Sequence, residues 1–395
     1  MQKQEFEVFI RIVRAGLCGE KALIPKDIEL ESLYYLAKEH RIMNIVFNGA
    51  VISDIDRNSP IMQKLYMGAV SELAYHERQA KEIERIFCLF EENKISYMPL
   101  KGIVLKGLYK KPEMRTMGDA DILIRLEEYD RIKEVMTKLG YEQKYESNHE
   151  LVWKKGKYLN IELHKTVVPN YNEEFFKYFG DGWSKALKEG STYRHSMSNE
   201  NEFIYVFTHF AKHYRAGGIG VRQLSDLWLF LKNRQLDFNF IEQEMEKLCL
   251  LQFYKNVRRT IDFWFESGPK DEVVELISRN IIKNGAFGTL ESSHNSFVVR
   301  LAAQKGFYKK KNKTAMWLFK CFPPAKFIKH KYRFLEEYPY MLPIAWAHRW
   351  IDAIFLHRGK IKKGLSAIKN INIEKSSQIE EELSKVGLSF NCTED

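Results

Sequence analysis

The sequence predicts an α+β protein: a small mixed β-sheet flanked by helices, embedded in largely α-helical N- and C-terminal regions. Three observations carry this. Apolar residues recur at helical spacing from Phe6 to Phe90, short apolar runs separated by turns take over between Ile95 and Val168, and the helical period returns from Asn199 without comparable strand-like alternation after it. At 395 residues, with 45% hydrophobic and 13% aromatic, the chain has material for two or three packed units, and disorder is excluded for most of it. The expected division is a helical region over 1–93, a sheet-bearing core over 94–190, a helical region packing on it over 191–268, and a helical C-terminal region over 269–395.

Leu33, Leu36 and Ala37, then Ile83, Ile86, Phe87 and Phe90, mark the helical opening. In the core, Ile95–Leu100, Asp119–Ile124, Leu151–Trp153 and Tyr158–Val168 read as strands. Between them, Glu127–Leu139 reads as a helix, with Tyr129, Ile132, Val135, Met136 and Leu139 on one side and Gly140 just past its end. The order is strand, helix, strand, helix, hairpin. Further on, Phe203, Val206, Phe207 and Phe210, then Leu224, Leu227, Trp228, Phe230 and Leu231, restore the helical period. Gly268-Pro269-Lys270-Asp271 reads as a turn and Lys309 to Lys313 as an exposed basic loop. Trp346, Trp350 and Ile354, one turn apart, form a core-facing helix stripe.

Lys plus Arg number 62 against 52 for Asp plus Glu, and the resulting +10 attracts polyanions without choosing among them. Five scattered cysteines with no CxxC pair argue against a disulfide framework or zinc ribbon and fit a cytoplasmic setting. Charges stand where a signal peptide needs its apolar stretch, and the apolar segment Tyr340–Leu356 is broken by His348, Arg349 and Asp352, so no membrane span is expected. No GxxxxGK[ST] or GxSxG occurs, and Gly218-Ile219-Gly220 lacks a third glycine and a preceding strand. Kinase, hydrolase and dehydrogenase chemistries are thereby excluded.

The sharpest chemical feature is Gly118-Asp119-Ala120-Asp121 leading into Ile122-Leu123-Ile124. Period two on a strand places Asp119 and Asp121 on one face, and adjacent carboxylates call for a cation such as Mg²⁺. In Tyr158 to His164 the apolar Leu159, Ile161 and Leu163 alternate with Asn160, Glu162 and His164, so Glu162 offers a third carboxylate and His164 shares its face. A neighbouring strand would complete a three-carboxylate, two-metal site. Upstream, Leu100-Lys101-Gly102 reads as a strand-to-helix turn where Gly102 lets backbone N–H groups approach phosphate and Lys101 adds a cation. Lys212 and Arg222 are candidates for a nucleotide's outer phosphates, and Arg222 with Asp226 also reads as an i,i+4 ion pair. His209-Phe-Ala-Lys-His213 has zinc spacing but lacks the glutamate of the protease motif, so zinc is not expected there.

This order of pieces resembles the nucleotidyltransferase superfamily: a strand, a Gly-containing turn and helix, Asp-hydrophobic-Asp, and a later acidic strand. More narrowly, it is similar to a bacterial branch of uncharacterised nucleotidyltransferases whose usual Gly-Ser turn is written Leu-Lys-Gly. Leu100-Lys101-Gly102, Tyr109, Arg115, Gly118-Asp119-Ala120-Asp121 and Glu162-Leu163-His164 match it in order and spacing, and the likeness continues through His209 to Asp226 and into Cys321-Phe322-Pro323-Pro324, Tyr338-Pro339, Leu342-Pro343 and Arg349. The resemblance implies Asp119, Asp121 and Glu162 as metal ligands for two Mg²⁺ ions, with Glu162 nearest the incoming hydroxyl. It implies Lys101 and Gly102 at the nucleotide phosphates, with Arg115 either reaching them or bracing its loop, and it favours functional roles for His209 and Asp226. The implied reaction moves a nucleoside monophosphate, most simply AMP from ATP, onto a small-molecule, peptide or saccharide acceptor. Two alternatives stand beside it: an inactive relative that binds a nucleotide or partner, and an RNA-end-modifying enzyme suggested by the net charge, although no zinc finger or RNP motif supports nucleic acid.

Overall fold

The computed structural model describes residues 3–25, 30–156, 159–170, 172–285, 321–329, 332, 334–356 and 373–388. The chain forms two compact units, one of residues 1–210 and 219–287, the other of 211–218 and 288–395.

The first unit opens with four helices, α1 (Lys3–Cys18), α2 (Glu31–His40), α3 (Met43–Ile52) and α4 (Pro60–Glu92). The last is 33 residues long; its start is set by Ser59, whose hydroxyl accepts the Met62 N–H, followed by Pro60 at the first helical position. Then come β1 (Tyr97–Pro99), the short α5 (Gly102–Leu105), β2 (Asp119–Ile124), α6 (Tyr129–Lys138), β3 (Glu142–Glu146), β4 (Glu150–Lys155) and β5 (Leu159–His164). After α7 (Glu173–Phe179) and a two-stranded ribbon of β6 (Leu187–Lys188) and β7 (His195–Ser196), the chain is helical: α8 (Asn199–Arg215), α9 (Val221–Asn233), α10 (Phe238–Lys247), α11 (Leu251–Phe265) and α12 (Glu272–Asn284). The turn at Gly268–Asp271 joins α11 to α12, and Asp271 caps α12 by accepting the Val274 N–H at 2.9 Å.

The five-stranded sheet has the order β1-β2-β5-β4-β3. β2 and β5 run parallel and every other pair antiparallel, so the sheet is mixed, as expected. The alternation read from the sequence sorts its two faces. Ala120, Ile122 and Ile124 of β2, Leu159, Ile161 and Leu163 of β5, and Leu151 and Trp153 of β4 pack on Ile83, Ile86 and Phe90 of α4 and on Ile132, Val135 and Met136 of α6. The opposite face is left to Asp119, Asp121, Glu162 and His164. Helix α6 ends at Lys138 and Gly140 takes φ +81°, the left-handed position for which the sequence nominated it.

Edge strand β3 went unread because Glu142-Gln143-Lys144-Tyr145-Glu146 has no apolar face to bury, as suits an edge. In the second unit, helix Leu342–Leu356 presents Trp346 and Trp350, whose indole N–H groups donate to the Pro323 and Cys321 carbonyls at 2.8 and 3.2 Å. The side chain of Ile354 and the Lys309–Lys313 run lie outside the described residues. Among those residues no helix is long and apolar enough to cross a membrane.

The helical packing makes one pH-dependent contribution. His40, at the end of α2, is fully buried, its Nδ1 accepts the Val221 N–H at 3.3 Å, and burial pushes its pKa down to about 4. The unfolded chain protonates this imidazole near pH 6.5 and the folded chain does not, so its contribution is complete above that pH and is lost as pH falls towards 4. Between pH 7.5 and 4.5, urea unfolding of the wild type should lose about 2 kcal/mol more than unfolding of His40→Gln. Equal losses would show that His40 is not held neutral.

Candidate active site

The parallel register of β2 and β5 sets Asp119 opposite Asn160, Asp121 opposite Glu162 and Leu123 opposite His164. Directly paired residues project from the same side of a sheet, so three carboxylates distant in sequence share one face. One ligand atom from each of Asp121, Glu162 and His164 lies within 4.8 Å of the others. Asp119 stands one position before Asp121 on that face, and its charge acts on both Asp121 and Glu162.

The carboxylates differ in electrostatic character. Burial, followed by Asp119 and Asp121, pushes Glu162 up to about 8. Burial and Asp121 likewise raise Asp119. Burial would raise Asp121 too, but Lys101 and His164 outweigh it and hold that carboxyl well below the usual range. Lys101 Nζ and His164 Nε2 both donate to Asp121 Oδ1 at 2.7 Å.

Lys101 reaches Asp121 because β1 ends in a strained turn. The Leu100 N–H donates to the Asp121 carbonyl at 3.0 Å, and Lys101 then adopts φ 45°, ψ −112° ahead of α5. Such a conformation costs a non-glycine residue on the order of 1–3 kcal/mol. The positive φ thus falls on Lys101, and Gly102 is required for a different reason. A Cβ on Gly102 would meet Met117 Sδ at 2.6 Å and Arg115 Nη1 at 2.8 Å. Neither neighbour can move freely, since both are buried and Arg115 is anchored. Gly102→Ala should therefore destabilise the protein by about 1–3 kcal/mol in chemical unfolding, whereas an unchanged midpoint would show the turn to be loosely packed.

The anchor is Asp226 of α9. Arg115 forks onto it, Nε to Oδ1 at 2.8 Å and Nη2 to Oδ2 at 2.9 Å, and the Tyr109 hydroxyl donates to Oδ1 at 2.8 Å. All three side chains are buried. The i,i+4 pairing of Arg222 with Asp226 is not what forms: the fork goes to Arg115, and Arg222 donates to the Thr116 carbonyl at 2.9 Å. Both contacts pin the loop that leads into Asp119. Burial and the nearby Arg115 lower Arg222 to about 10, and burial, Arg115 and Arg222 lower Lys106 to about 8. Lys106, Arg115 and Arg222 therefore crowd one another, with Asp226 as the buried counter-charge of the two arginines and Asp119 also acting on Arg222, a field that favours an anion.

The family described as uncharacterised nucleotidyltransferase matches this chain over residues 26–266. The chain belongs to that family. Neither the curated proteins nor the solved structures give a significant match. The matched segment contains every residue of the cluster just described.

Of the positions singled out in the sequence, Lys101, Gly102, Arg115, Gly118, Asp119, Asp121, Glu162, His164, Arg222 and Asp226 come together around the polar sheet face and the loop that enters it. His209 and Lys212 lie on α8, Lys212 within the second unit. Sequence reasoning missed Lys106, His149 and Tyr205. Lys106 reads as one surface lysine among many, His149 precedes its strand in an unremarkable turn, and Tyr205, buried on α8 beside Lys101, merges with the aromatic periodicity of that helix.

Proposed function

We propose that this nucleotidyltransferase moves a nucleoside monophosphate, AMP from ATP, onto a hydroxyl or phosphate oxygen of an acceptor and releases pyrophosphate. The observation that carries the proposal is the register of β2 and β5, which gathers Asp119, Asp121 and Glu162 on the one sheet face that does not pack on α4 and α6. The donor set fits hard divalent cations: carboxylate oxygens crowded enough that Glu162 rises to about 8 gain from a positive ion among them. Asp119, Asp121 and Glu162 would hold two Mg²⁺ ions, which when bound activate the attacking oxygen and neutralise charge on the departing pyrophosphate.

The remaining work falls to the chain itself. His164 donates Nε2–H to Asp121 Oδ1 and fixes the direction of that carboxylate. Lys101 keeps a positive charge at the same oxygen, and Lys106 and Arg222 set up the field that draws a triphosphate towards Asp119. Arg115 acts as a brace, holding the loop before Asp119 on Asp226. In transfer, the bond from acceptor oxygen to the α-phosphorus forms, the bond from that phosphorus to the bridging oxygen breaks, and pyrophosphate leaves with the electron pair. Glu162 stands nearest the incoming hydroxyl and takes its proton.

The test is product analysis with Mg²⁺, ATP labelled at the α-phosphate and a panel of alcohols, sugars, peptides and phosphorylated acceptors. Transfer of the label with release of pyrophosphate is the expected outcome. Release of ADP or orthophosphate would instead identify phosphoryl transfer or hydrolysis and contradict the proposal.

A further inference from the structure

Beside the carboxylate face lies a second group of potential ligands, formed by His149, Glu150 and His164. It is positioned by the backbone. Ser147 Oγ accepts the N–H groups of His149 and Glu150 at 3.2 and 3.0 Å, and the His149 carbonyl accepts the Lys165 N–H at 2.8 Å. Glu150, the first residue of β4, pairs with His164 across the sheet. One ligand atom from each of the three side chains lies within 4.8 Å of the others.

The hydrogen-bond directions decide what this group can hold. Asp121 is an ionised carboxylate and can only accept, so His164 Nε2, at 2.7 Å from its Oδ1, carries a hydrogen. The Thr166 hydroxyl donates to the Val168 carbonyl at 2.9 Å, so towards His149 Nδ1, also at 2.9 Å, its oxygen accepts and that nitrogen carries a hydrogen as well. The inner nitrogens, His164 Nδ1 and His149 Nε2, then face one another at 3.2 Å. That separation, with a Glu150 carboxylate oxygen within 4.8 Å of both nitrogens, is the spacing of side chains that share one metal ion. Zinc–nitrogen bonds of about 2.0–2.1 Å place two ligands of a tetrahedral ion about 3.3 Å apart, close to the separation seen. Each histidine also has its outer N–H held by an acceptor, Asp121 for one and Thr166 for the other, which is how metal-bound imidazoles are oriented.

The geometry points to a transition-metal site of the zinc class formed by His164 Nδ1, His149 Nε2 and the Glu150 carboxylate, separate from the proposed Mg²⁺ ligands and joined to them through His164. A fourth position is left for water, as in three-ligand zinc sites. Metal bound there locks the His164 tautomer with Nε2–H on Asp121, so it positions that carboxylate without touching a nucleotide. The site rests on no assumption about nucleotidyl transfer, and metal alone tests it.

Co²⁺ is titrated into the full-length, metal-stripped protein in excess Mg²⁺, which occupies oxygen-ligand sites and competes poorly at imidazoles. Expected are visible bands of a low-coordinate Co²⁺ ion that saturate at one equivalent and are bleached by Zn²⁺. His149→Ala and Glu150→Gln should each weaken binding at least about 100-fold, and Thr166→Val about 10-fold, while Glu162→Gln keeps the bands. Circular dichroism establishes that each variant is folded, and the three substitutions at different positions guard against one local collapse. Absence of bands in the wild type would show that a shared proton, not a metal, joins the imidazoles. Bands that survive in His149→Ala or vanish in Glu162→Gln would assign the ion to the carboxylate face. Either result overturns the site and leaves the nucleotidyl-transfer proposal standing on its own test.

Discussion

Asp121→Asn should lower nucleotidyl transfer by about 1,000-fold or more while the protein remains folded. The residue sits where β2 meets β5, opposite Glu162, with Lys101 and His164 both donating to Oδ1. A carboxylate-held metal supplies several kcal/mol of transition-state charge stabilisation, and each 1.36 kcal/mol lost is about a tenfold loss in rate. The asparagine keeps shape and size but removes the charge that gathers cations. The fold is expected to persist with some loss of stability: Lys101 loses its counter-charge, but the amide oxygen still accepts from Lys101 and His164, and repulsion on Asp119 and Glu162, whose pKa values Asp121 raises, is relieved. Steady-state transfer rates set against urea midpoints separate the two effects. A folded variant that retains more than about a tenth of the activity would remove Asp121 from the catalytic role.

The second large effect concerns stability. Asp226→Ala should destabilise the first unit by about 3–5 kcal/mol, because it leaves the buried Arg115 guanidinium without its forked partner and the Tyr109 hydroxyl without its acceptor. Arg222 and Lys106 already crowd Arg115, so the unpaired charge has repulsive neighbours. Breaking a buried pair is far worse than replacing it whole, so Arg115→Met combined with Asp226→Leu should recover much of the loss. Urea unfolding of the single and double variants measures this directly. Losses that simply add would mean the fork contributes no coupling.

The contrast between these two residues shows what a sequence reveals and what it hides. Asp119, Asp121 and Glu162 were readable because period-two alternation is local: apolar positions choose the face that packs on α4 and α6, and the carboxylates take the other. The mixed sheet and the cap at Gly140 follow from the same local rules. Asp226 was placed on its helix, but the nearest cation in sequence, Arg222, suggested the wrong partner. The pairing that forms spans 111 residues, and it wins because a planar guanidinium can engage both carboxylate oxygens once the two are buried together. Spacing carries no information about such a contact. Gly102 is similar: its identity was legible, but the reason for it, side chains of Arg115 and Met117 standing where a Cβ would project, exists only after the loop folds back. His149 had no signature at all, because its chemistry depends on the β4–β5 register bringing it to His164.

The most direct test of the central claim is calorimetric titration of ATP, with and without Mg²⁺, into the wild type and into the Asp119→Asn/Asp121→Asn double variant. Mg²⁺-dependent binding that the double variant loses is the expected result, since the metal and the triphosphate share the carboxylate face. Nucleotide binding that is equal with and without Mg²⁺ and unchanged in the variant, or no binding by the wild type, would contradict a metal-dependent nucleotidyltransferase at Asp119, Asp121 and Glu162.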